Sequence, residues 1–233
     1  MTAEERTGST RRRILTAACE VIAEMGFEGV RMRNVAERAE VSSALLHYHF
    51  ENREKLFLAA LRFSFENAGA AEFRAATSPD APATWLLARI IDMCLPIGAE
   101  LRRDFLLWQE LWLRATRDVE SKALAADLYE ELREWVGTAI RDGINRGEFS
   151  RADVPAVVDL LLALVDGYGF RLILGDRLLN LDRVRTQIWT TIGRELGITR
   201  PFPVHPLPAQ PALAGRDSAS GDSASRDTAD PVT

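Results

Sequence analysis

Apolar residues recur along most of the chain at helical spacing, and no stretch shows the alternation that predicts a strand. Near the amino end they follow one another mostly at intervals of three or four residues. This spacing predicts a helix that Ser9 or Thr10 caps and Gly26 ends. The same periodicity predicts further helices at about 33–39, 43–49, 53–76, 84–95, 101–117, 119–146, 154–174 and 181–196. We therefore predict an all-α protein.

Two breaks divide this helical pattern. Turn-forming residues at 77–82 separate the fourth helix from those that follow, and a proline-rich, low-complexity stretch begins at residue 199. Because a domain of about 50 residues buries little surface alone, we expect the fourth helix to dock an amino-terminal three-helix head onto a carboxy-terminal helical bundle. The predicted domains are residues 1–52, residues 53–198 and a disordered tail, residues 199–233.

The segment from Val41 to Phe50 has the pattern of the second half of a helix-turn-helix, which inserts a short helix into the DNA major groove. Ser42 can cap this helix, because its hydroxyl accepts a hydrogen bond from a free amide of the first turn. At 100° per residue, one side of the helix packs and the other faces outward. The predicted packing side is Leu45, Leu46, His49 and Phe50, and the predicted DNA side is Ser43, Ala44, His47 and Tyr48.

The charge distribution argues against non-specific coating of nucleic acid, since the net charge is −5. Residues 1–55 carry nine basic and nine acidic residues, so the acidic excess lies outside them. Arginines 11–13 are either an arm for the minor groove or exposed charges of the first helix. Basic residues flank the helix-turn-helix where phosphates would lie. The predicted DNA-binding residues are Arg33, Ser42, Ser43, Ala44, His47, Tyr48, Arg53 and Lys55. The alternative is a merely solvated polar face.

Several other classes of protein find no support in the sequence. No apolar run approaches the roughly 18 residues of a membrane span and no signal segment follows the first arginines, so we expect a cytoplasmic protein without a membrane partner.

Cys19 and Cys94 lie within apolar helical pattern, which favours buried thiols. His47 and His49 point to different helix faces and have no further ligand nearby, so we predict no metal site. Motifs of catalysis or cofactor binding are absent from the sequence, and we expect neither an enzyme nor a cofactor.

A wider pattern surrounds the helix-turn-helix. It consists of Ile14, Ala17, Ala18, Gly26, Phe27, Val35, Ala36, the run from Ala39 to Phe50, Arg53 and Leu56. This pattern resembles the TetR family of transcriptional regulators, and the five helices that follow, with Val165–Gly167 in the eighth helix, resemble the ligand-binding domains of its BetI-like branch. The resemblance implies a homodimer in which a small molecule in the carboxy-terminal domain changes the separation of two DNA-reading heads.

The function that this resemblance implies is a sequence-specific repressor of nearby genes, released from its DNA operator by a small-molecule effector. An activator is an alternative. A helical small-molecule carrier or enzyme that retains a vestigial DNA-binding head is another, and so is a DNA-binding protein without an effector.

Three residues depart from the family pattern. Glu40 stands at the turn between the second and third helices, where the family usually has Gly, and a left-handed Glu costs roughly 1 kcal/mol. His47 stands where a Tyr usually touches the DNA backbone. Arg31 replaces the usual capping Ser or Thr of the second helix. The operator sequence therefore does not follow from the resemblance.

The segment 105–112 is the best candidate for effector contacts. Phe105, Trp108 and Trp112 recur at i, i+3 and i+7, and aromatic residues with an amide beside them can line a pocket for a flat or hydrophobic molecule. The alternative is ordinary bundle core. The predicted ligand-binding residues are Met93, Phe105, Trp108, Gln109, Trp112, Tyr129 and Tyr168, with Cys94 as a further candidate.

The helix that begins at Val154 is apolar nearly all round, so one face covers its own core and another needs a second cover. We expect a second subunit to supply it and to place two probe helices on a pseudo-palindromic operator. The alternative is burial within the core of the monomer. The predicted interface residues are Leu161, Leu164, Val165, Trp189 and Ile192.

Overall fold

The computed structural model of the chain describes residues 3–68 and 81–203, with side chains from Thr7 onward. The regular secondary structure within these residues is entirely helical, as predicted, and none of the described helices is long and apolar enough to cross a membrane. The helices are α1 (Ala3–Gly29), α2 (Met32–Arg38), α3 (Ser43–His49), α4 (Arg53–Ala68), α5 (Ala83–Met93), α6 (Gly98–Ala115), α7 (Val119–Asn145), α8 (Val154–Ile173) and α9 (Leu181–Leu196).

The ends of the later helices lie close to their predicted positions because local capping residues set them. α7 begins after Asp118, whose Oδ2 accepts a hydrogen bond from the Ser121 amide at 2.7 Å. Asp153 and Asn180 cap α8 and α9 in the same way. Gly197 ends α9 in the left-handed conformation, with a φ of 68°.

α1 differs from the prediction at both ends. It begins at Ala3 rather than at a cap formed by Ser9 or Thr10. The residues before this expected cap include no proline that would stop the helix. Gly26 has the predicted positive φ, 67°, but one more helical turn follows it. α1 is therefore kinked at Gly26 and reaches Gly29.

The predicted tail begins with residues that pack on the bundle. The indole N–H of Trp189 donates to the carbonyl of Arg200 at 2.8 Å, and the rings of Trp189 and Phe202 meet at a centroid distance of 5.3 Å. The tail prediction from residue 204 onward lies outside the described residues. So does the predicted continuation of α4 from residue 69 to residue 76.

Two clusters of buried apolar side chains form the core. The first joins the three-helix head and α4 to one side of α6 and α7, with Ile22, Phe57 and Leu111 among its members. The second lies among α5, α7, α8 and α9 and includes Leu87 and Ile140. α7 contributes to both clusters, so the head packs on the bundle through α6 and α7 as well as through α4.

A largely buried ion pair joins the first and last helices of the bundle. The guanidinium of Arg185 on α9 donates from Nε and Nη2 to the two carboxylate oxygens of Asp92 on α5, at 2.6 and 2.9 Å. Because removal of one partner would leave an uncompensated buried charge, this pair fixes the position of α9 against α5.

Candidate functional site

The predicted DNA-reading side of α3 is exposed. The Ser42 Oγ caps the helix by accepting the Leu45 amide at 3.1 Å, and Leu46 and Phe50 are buried against the head. Tyr48 is 79% exposed. The open face of α3 is formed by Ser43, Ala44, His47 and Tyr48.

The packed side of α3 is narrower than predicted. Leu45 is 37% exposed rather than buried, because it lies 100° around the helix from Leu46, at the edge of the contact with the head. His49 is half-buried, and its ring lies 5.3 Å from that of Tyr48. Leu45 thus adds an apolar group to the open surface, where the thymine methyl is the matching feature of DNA.

The turn between α2 and α3 contains the strained residue that the sequence predicts. Glu40 has a φ of 53°, in the left-handed region. The Val41 amide closes the turn by donating to the Ala36 carbonyl at 3.0 Å. At the start of α2, the Asn34 Oδ1 accepts the Arg31 amide at 3.1 Å, so Asn34 performs part of the capping that Arg31 cannot.

Two of the predicted phosphate-binding residues are exposed and ion-paired. Arg33 Nε lies 3.2 Å from Glu37 on the next turn of α2. Lys55 Nζ donates to both carboxylate oxygens of Glu120 on α7, at 3.1 and 3.0 Å. Both pairs lie at the surface and are weak, so a DNA phosphate could displace either carboxylate.

Arg53 has different surroundings from those predicted. Its guanidinium donates to the carbonyls of Phe27 and Val30 at 3.4 Å each and lies 4.2 Å from the centroid of the Phe27 ring. Both carbonyls follow the kink of α1, and the Phe27 carbonyl also accepts the Val30 amide at 3.2 Å. Arg53 therefore holds the end of α1 in place.

Arginines 11–13 lie within α1 and do not form an arm. The Arg11 guanidinium lies 5.1 Å from the centroid of the Phe50 ring, and Arg12 Nη2 donates to the Asn67 Oδ1 on α4 at 2.8 Å. The structure therefore supports the alternative of exposed helix charges.

A cavity of about 90 Å³ lies among α4, α5, α6, α7 and α8. Six aromatic side chains and two carboxylates line it, and no Lys or Arg of the described residues does so. The predicted residues at the cavity are Met93, Cys94, Phe105, Trp108, Trp112 and Tyr129. The residues that the prediction missed are Phe65, Ile90, Leu101, Asp104, Leu132, Trp135, Val165 and Asp166.

Gln109 and Tyr168 are not among the residues that line the cavity. Gln109 lies 100° around α6 from Trp108, and Tyr168 lies 200° around α8 from Asp166, so each helix turns them to another side. One missed residue did have a sequence signal, because Asp166 is a carboxylate in an otherwise apolar stretch of α8.

The aromatic residues form a continuous wall. Tyr129 and Trp112 are stacked at a centroid distance of 5.7 Å with 15° between their planes, and Trp108 lies 6.1 Å from Trp112. Phe105 packs closely on α8, because a Cβ at Gly169 would lie only 2.3 Å from its ring. Gly169 thus allows the Phe105 ring to reach its place beside the cavity.

The two carboxylates of the cavity have different partners. Asp166 Oδ2 accepts the Tyr129 hydroxyl at 2.8 Å, and burial raises the pKa of Asp166 to about 6 although this hydrogen bond acts in the opposite direction. Asp104 Oδ1 accepts the Ser64 hydroxyl at 2.9 Å and lies 3.4 Å from Arg103 Nε. Burial also raises the pKa of Asp104. Of these two carboxylates, only Asp104 has a basic partner among the described residues.

α6 connects the cavity to the head. Its cavity side bears Trp108 and Trp112, and its other side contacts the kinked end of α1. Glu110 Oε2 accepts the Phe27 amide at 3.1 Å, and the Arg114 guanidinium lies 3.6 Å from the centroid of the Phe27 ring. One helix therefore touches both the candidate ligand site and the candidate DNA-reading head.

The predicted interface residues require a correction. Leu161 and Val165 of α8 and Trp189 and Ile192 of α9 are buried in the core of the subunit itself, and Leu164 is half-buried. The prediction selected the inward side of α8, because a helix that is apolar nearly all round does not show from its sequence which side is covered. Four of the five residues therefore offer no surface to a partner.

α8 leaves another side open. Phe170 and Leu174 are 45% and 68% exposed, and nothing lies within 4 Å of where a Cβ on Gly167 would be. The stripe follows alternating intervals of four and three residues, the spacing of helix-pairing seams. Its members are Ala156, Leu160, Ala163, Gly167, Phe170 and Leu174.

Comparison with known proteins assigns this arrangement to a family. Residues 14–60 match the family model of bacterial regulatory proteins of the tetR family, and residues 82–197 match that of the BetI-type transcriptional repressor, C-terminal. The chain belongs to the TetR family. It is a DNA-binding transcriptional regulator that responds to a ligand.

Relatives of this TetR-family chain include the HTH-type transcriptional regulatory protein RaaS of Mycobacterium tuberculosis, 31% identical over 70% of each chain. A protein from Saccharomonospora viridis, crystallised in complex with choline, is 28% identical, covers 81% of this chain and 98% of its own, and superposes with a TM-score of 0.73. The regulator FadR from Bacillus subtilis, in complex with stearoyl-CoA, is 19% identical, covers 77% and 96% of the two chains, and has a TM-score of 0.64, which shows the shared fold alone.

Proposed function

We propose that the chain acts as a homodimeric repressor that holds an operator with two α3 helices and releases it when a small molecule fills the cavity. The observation that carries the proposal is the position of α6, with Trp108 and Trp112 at the cavity and Glu110 and Arg114 on the head. Because a helix moves as a unit, a ligand that shifts the cavity side of α6 shifts the head as well. The required coupling is about 1–3 kcal/mol.

The proposed DNA contacts come from the exposed side of the head. Ser43, Ala44, His47 and Tyr48 contact bases and nearby phosphates, and the amino end of α3 at Ser42 faces a phosphate. Arg33 and Lys55 are the proposed phosphate contacts, each after leaving its carboxylate partner. Arg53 acts indirectly, because its bonds to the end of α1 set the geometry of the head.

The open stripe of α8 is the proposed dimer interface. Gly167 lies in the middle of a helix, where glycine costs roughly 1 kcal/mol relative to alanine, and nothing in its own subunit packs on it. A partner helix that approaches closely would explain both the glycine and the exposed Phe170 and Leu174 beside it. The half-buried Leu164 lies at the edge of this stripe.

The cavity is the proposed effector site. The relative from Saccharomonospora viridis was crystallised with choline, which supports a small-molecule effector for this chain too. We place the protein in the cytoplasm, together with the chromosome, and assign it no catalytic role. An intact, capped and exposed α3 supports a working head rather than a vestigial one.

The test is a mobility-shift titration of the full-length protein on DNA from upstream of its own gene, with excess competitor. We expect a complex that survives the competitor. Tyr48→Ala should reduce the preference for this DNA over random sequence. Arg33→Ala should weaken binding to all sequences and should make the affinity less dependent on salt concentration. Leu113→Ala, at an exposed position of α6, is the matched control. Equal binding to upstream and random DNA would contradict the proposal.

A further inference from the structure

A second cavity, of about 260 Å³, lies between α1 of the head and α4 and α6 of the bundle. Its described lining shares only Asp104 with the lining of the aromatic cavity. The two linings differ in chemistry, because most of the residues around the second cavity are polar or charged. Helices usually pack through their apolar sides, so packing alone does not account for a polar crevice between three of them.

Helical spacing places the charged groups around this polar cavity. α6 contributes Glu100, Arg103 and Asp104, which lie at i, i+3 and i+4 on one side of the helix. α1 contributes Arg12 and Thr16, one turn apart. Arg12 and Glu100 are exposed whereas Asp104 is buried, so the polar cavity leads from solvent to Asp104. A small molecule therefore has a way in.

Two of the four charged groups compensate each other. Arg103 Nε lies 3.4 Å from Asp104 Oδ1, and the same oxygen accepts the Ser64 hydroxyl at 2.9 Å. These contacts leave the two terminal nitrogens of the Arg103 guanidinium without a partner among the described residues. Arg103 therefore has N–H donors left for a ligand.

The other two charged groups are not compensated. Arg12 Nη2 donates to the neutral Asn67 Oδ1 at 2.8 Å, and Arg12 forms no ion pair with a described side chain. Glu100 has no basic partner among the described side chains either. Cys19 also lines the polar cavity, but burial raises the pKa of its thiol to about 12, so it adds no charge. One free charge of each sign thus faces the polar cavity.

This pattern of charges selects among small ligands. A simple anion would meet the carboxylates of Glu100 and Asp104, and a simple cation would meet the guanidiniums of Arg12 and Arg103. A zwitterion offers each free charge its opposite. Arginine binds a carboxylate through parallel N–H donors, and a carboxylate accepts the N–H donors of an ammonium.

The volume sets the size of the ligand. A cavity of about 260 Å³ has room for on the order of ten to twenty water-sized atoms. A free amino acid fits this space, whereas a nucleotide exceeds it and would place its phosphates beside two carboxylates. Phe63 supplies apolar surface for a side chain, with the Arg12 guanidinium 5.9 Å from the centroid of its ring.

We propose that the polar cavity binds a free α-amino acid, with its carboxylate between Arg12 and Arg103 and its ammonium at Glu100. This site goes beyond the proposed function, because it is separate from the effector cavity and binds its ligand without DNA. Since α1 belongs to the head and α6 to the bundle, the bound amino acid holds the two against each other.

The test begins with thermal melts of the full-length protein in the presence of each common L-amino acid at about 10 mM. The amino acid that raises the Tm most is then titrated calorimetrically beside two analogues that each lack one charged group. For valine these are isovalerate, without the ammonium, and isobutylamine, without the carboxylate. We expect the amino acid to bind on the order of tenfold or more tightly than either analogue.

Two substitutions assign the charges. Arg12→Gln should remove most of the preference for the amino acid over the amine, and Glu100→Gln most of its preference over the carboxylate. A merely structural effect would weaken all three ligands equally. Arg13→Gln, at an exposed neighbour that does not line the polar cavity, is the matched control and should keep both preferences. Asp166→Asn, which lines the aromatic cavity alone, should leave amino-acid affinity unchanged.

Several outcomes would overturn the inference. These are no change in Tm with any of the amino acids, binding of an analogue as tight as that of the amino acid, or unchanged preferences in Arg12→Gln and Glu100→Gln. Loss of binding in Asp166→Asn would move the ligand to the aromatic cavity and would also refute the site. The titrations contain no DNA, so their result is independent of the mobility shift that tests the proposed function.

Discussion

Glu40 and Asp166 are both held in surroundings that are unfavourable for their own side chains. Glu40 has a left-handed backbone in the turn between α2 and α3. Asp166 has a carboxylate among aromatic rings. Both the backbone strain at Glu40 and the burial of the Asp166 carboxylate lower stability locally. Each can be removed by a single substitution that keeps the neighbouring contacts.

Asp166→Asn should stabilise the ligand-free protein in a pH-dependent way. The pKa of Asp166 is about 6 in the folded protein and about 3.9 in an unfolded chain. The fold therefore loses stability as the pH rises through this window, and the loss is complete above it, on the order of 3 kcal/mol. Thermal melts should show a higher Tm for Asp166→Asn at about pH 8 and little difference at about pH 4. A Tm shift of the same size at both pH values would contradict the assignment.

Glu40→Gly should stabilise the head, since glycine adopts positive φ without a Cβ clash. We expect a gain of about 0.5–1 kcal/mol in the free energy of unfolding by denaturant titration, with DNA affinity unchanged. Glu37→Gly, the same substitution within α2, is the matched control and should lose about 1 kcal/mol. A destabilised Glu40→Gly would show that the Glu40 side chain makes a compensating contribution.

At the scale of elements, α6 lines the cavity with one side and contacts the head with another. Leu107 and Leu111 are fully buried, and Leu111 lies with the head core while Trp108 and Trp112 line the cavity. The Glu110 carboxylate accepts the amide of Phe27, the residue after Gly26. Within the described part of α1, Gly26 is the one residue with non-helical backbone dihedrals. The junction of α6 with the kink of α1 is therefore where a shift of α6 would reach the head.

Glu110→Ala should weaken the coupling between cavity and head without affecting the cavity. The Phe27 amide would lose its acceptor, so α6 would move with less effect on α1. The affinity for the effector should stay within about twofold, whereas the ratio of DNA affinities without and with the effector should fall toward one. Glu110→Gln keeps an acceptor oxygen and should retain most of the ratio. A full ratio in Glu110→Ala would show that the coupling runs elsewhere.

The bounds of the later helices were predictable, and the side that each helix turns to its neighbours was not. Asp118 and Asn180 are capping signals that act over three residues, so they are visible in the sequence. Whether Gln109 or Asp104 of α6 faces the cavity depends on how helices distant in sequence pack together. For that reason the aromatic residues of the cavity were largely predicted, but its carboxylates were missed.

At the scale of the whole molecule, the open apolar stripe on α8 is a surface that a partner could cover. A contiguous exposed apolar surface commonly marks an interaction site, and a DNA-reading protein with a single head needs a second copy to bind a palindromic site. Leu160 is half-buried in the second core, while the other end of the stripe, at Phe170 and Leu174, is exposed. The exposed end is therefore where a substitution can disturb contact with the proposed partner subunit without disturbing the fold.

Leu174→Asp should separate the proposed dimer, because its interface would then carry two buried carboxylates without partners. We expect sedimentation to show a monomer with an unchanged helical spectrum. Operator affinity should fall strongly, since a single head makes only half of the contacts. Leu113→Asp is the matched control: it places the same charge at a similarly exposed leucine on α6 and should remain dimeric. If Leu174→Asp stays dimeric and binds its operator normally, the subunits pair through another surface. Close approach of a partner helix would then not explain the glycine at position 167.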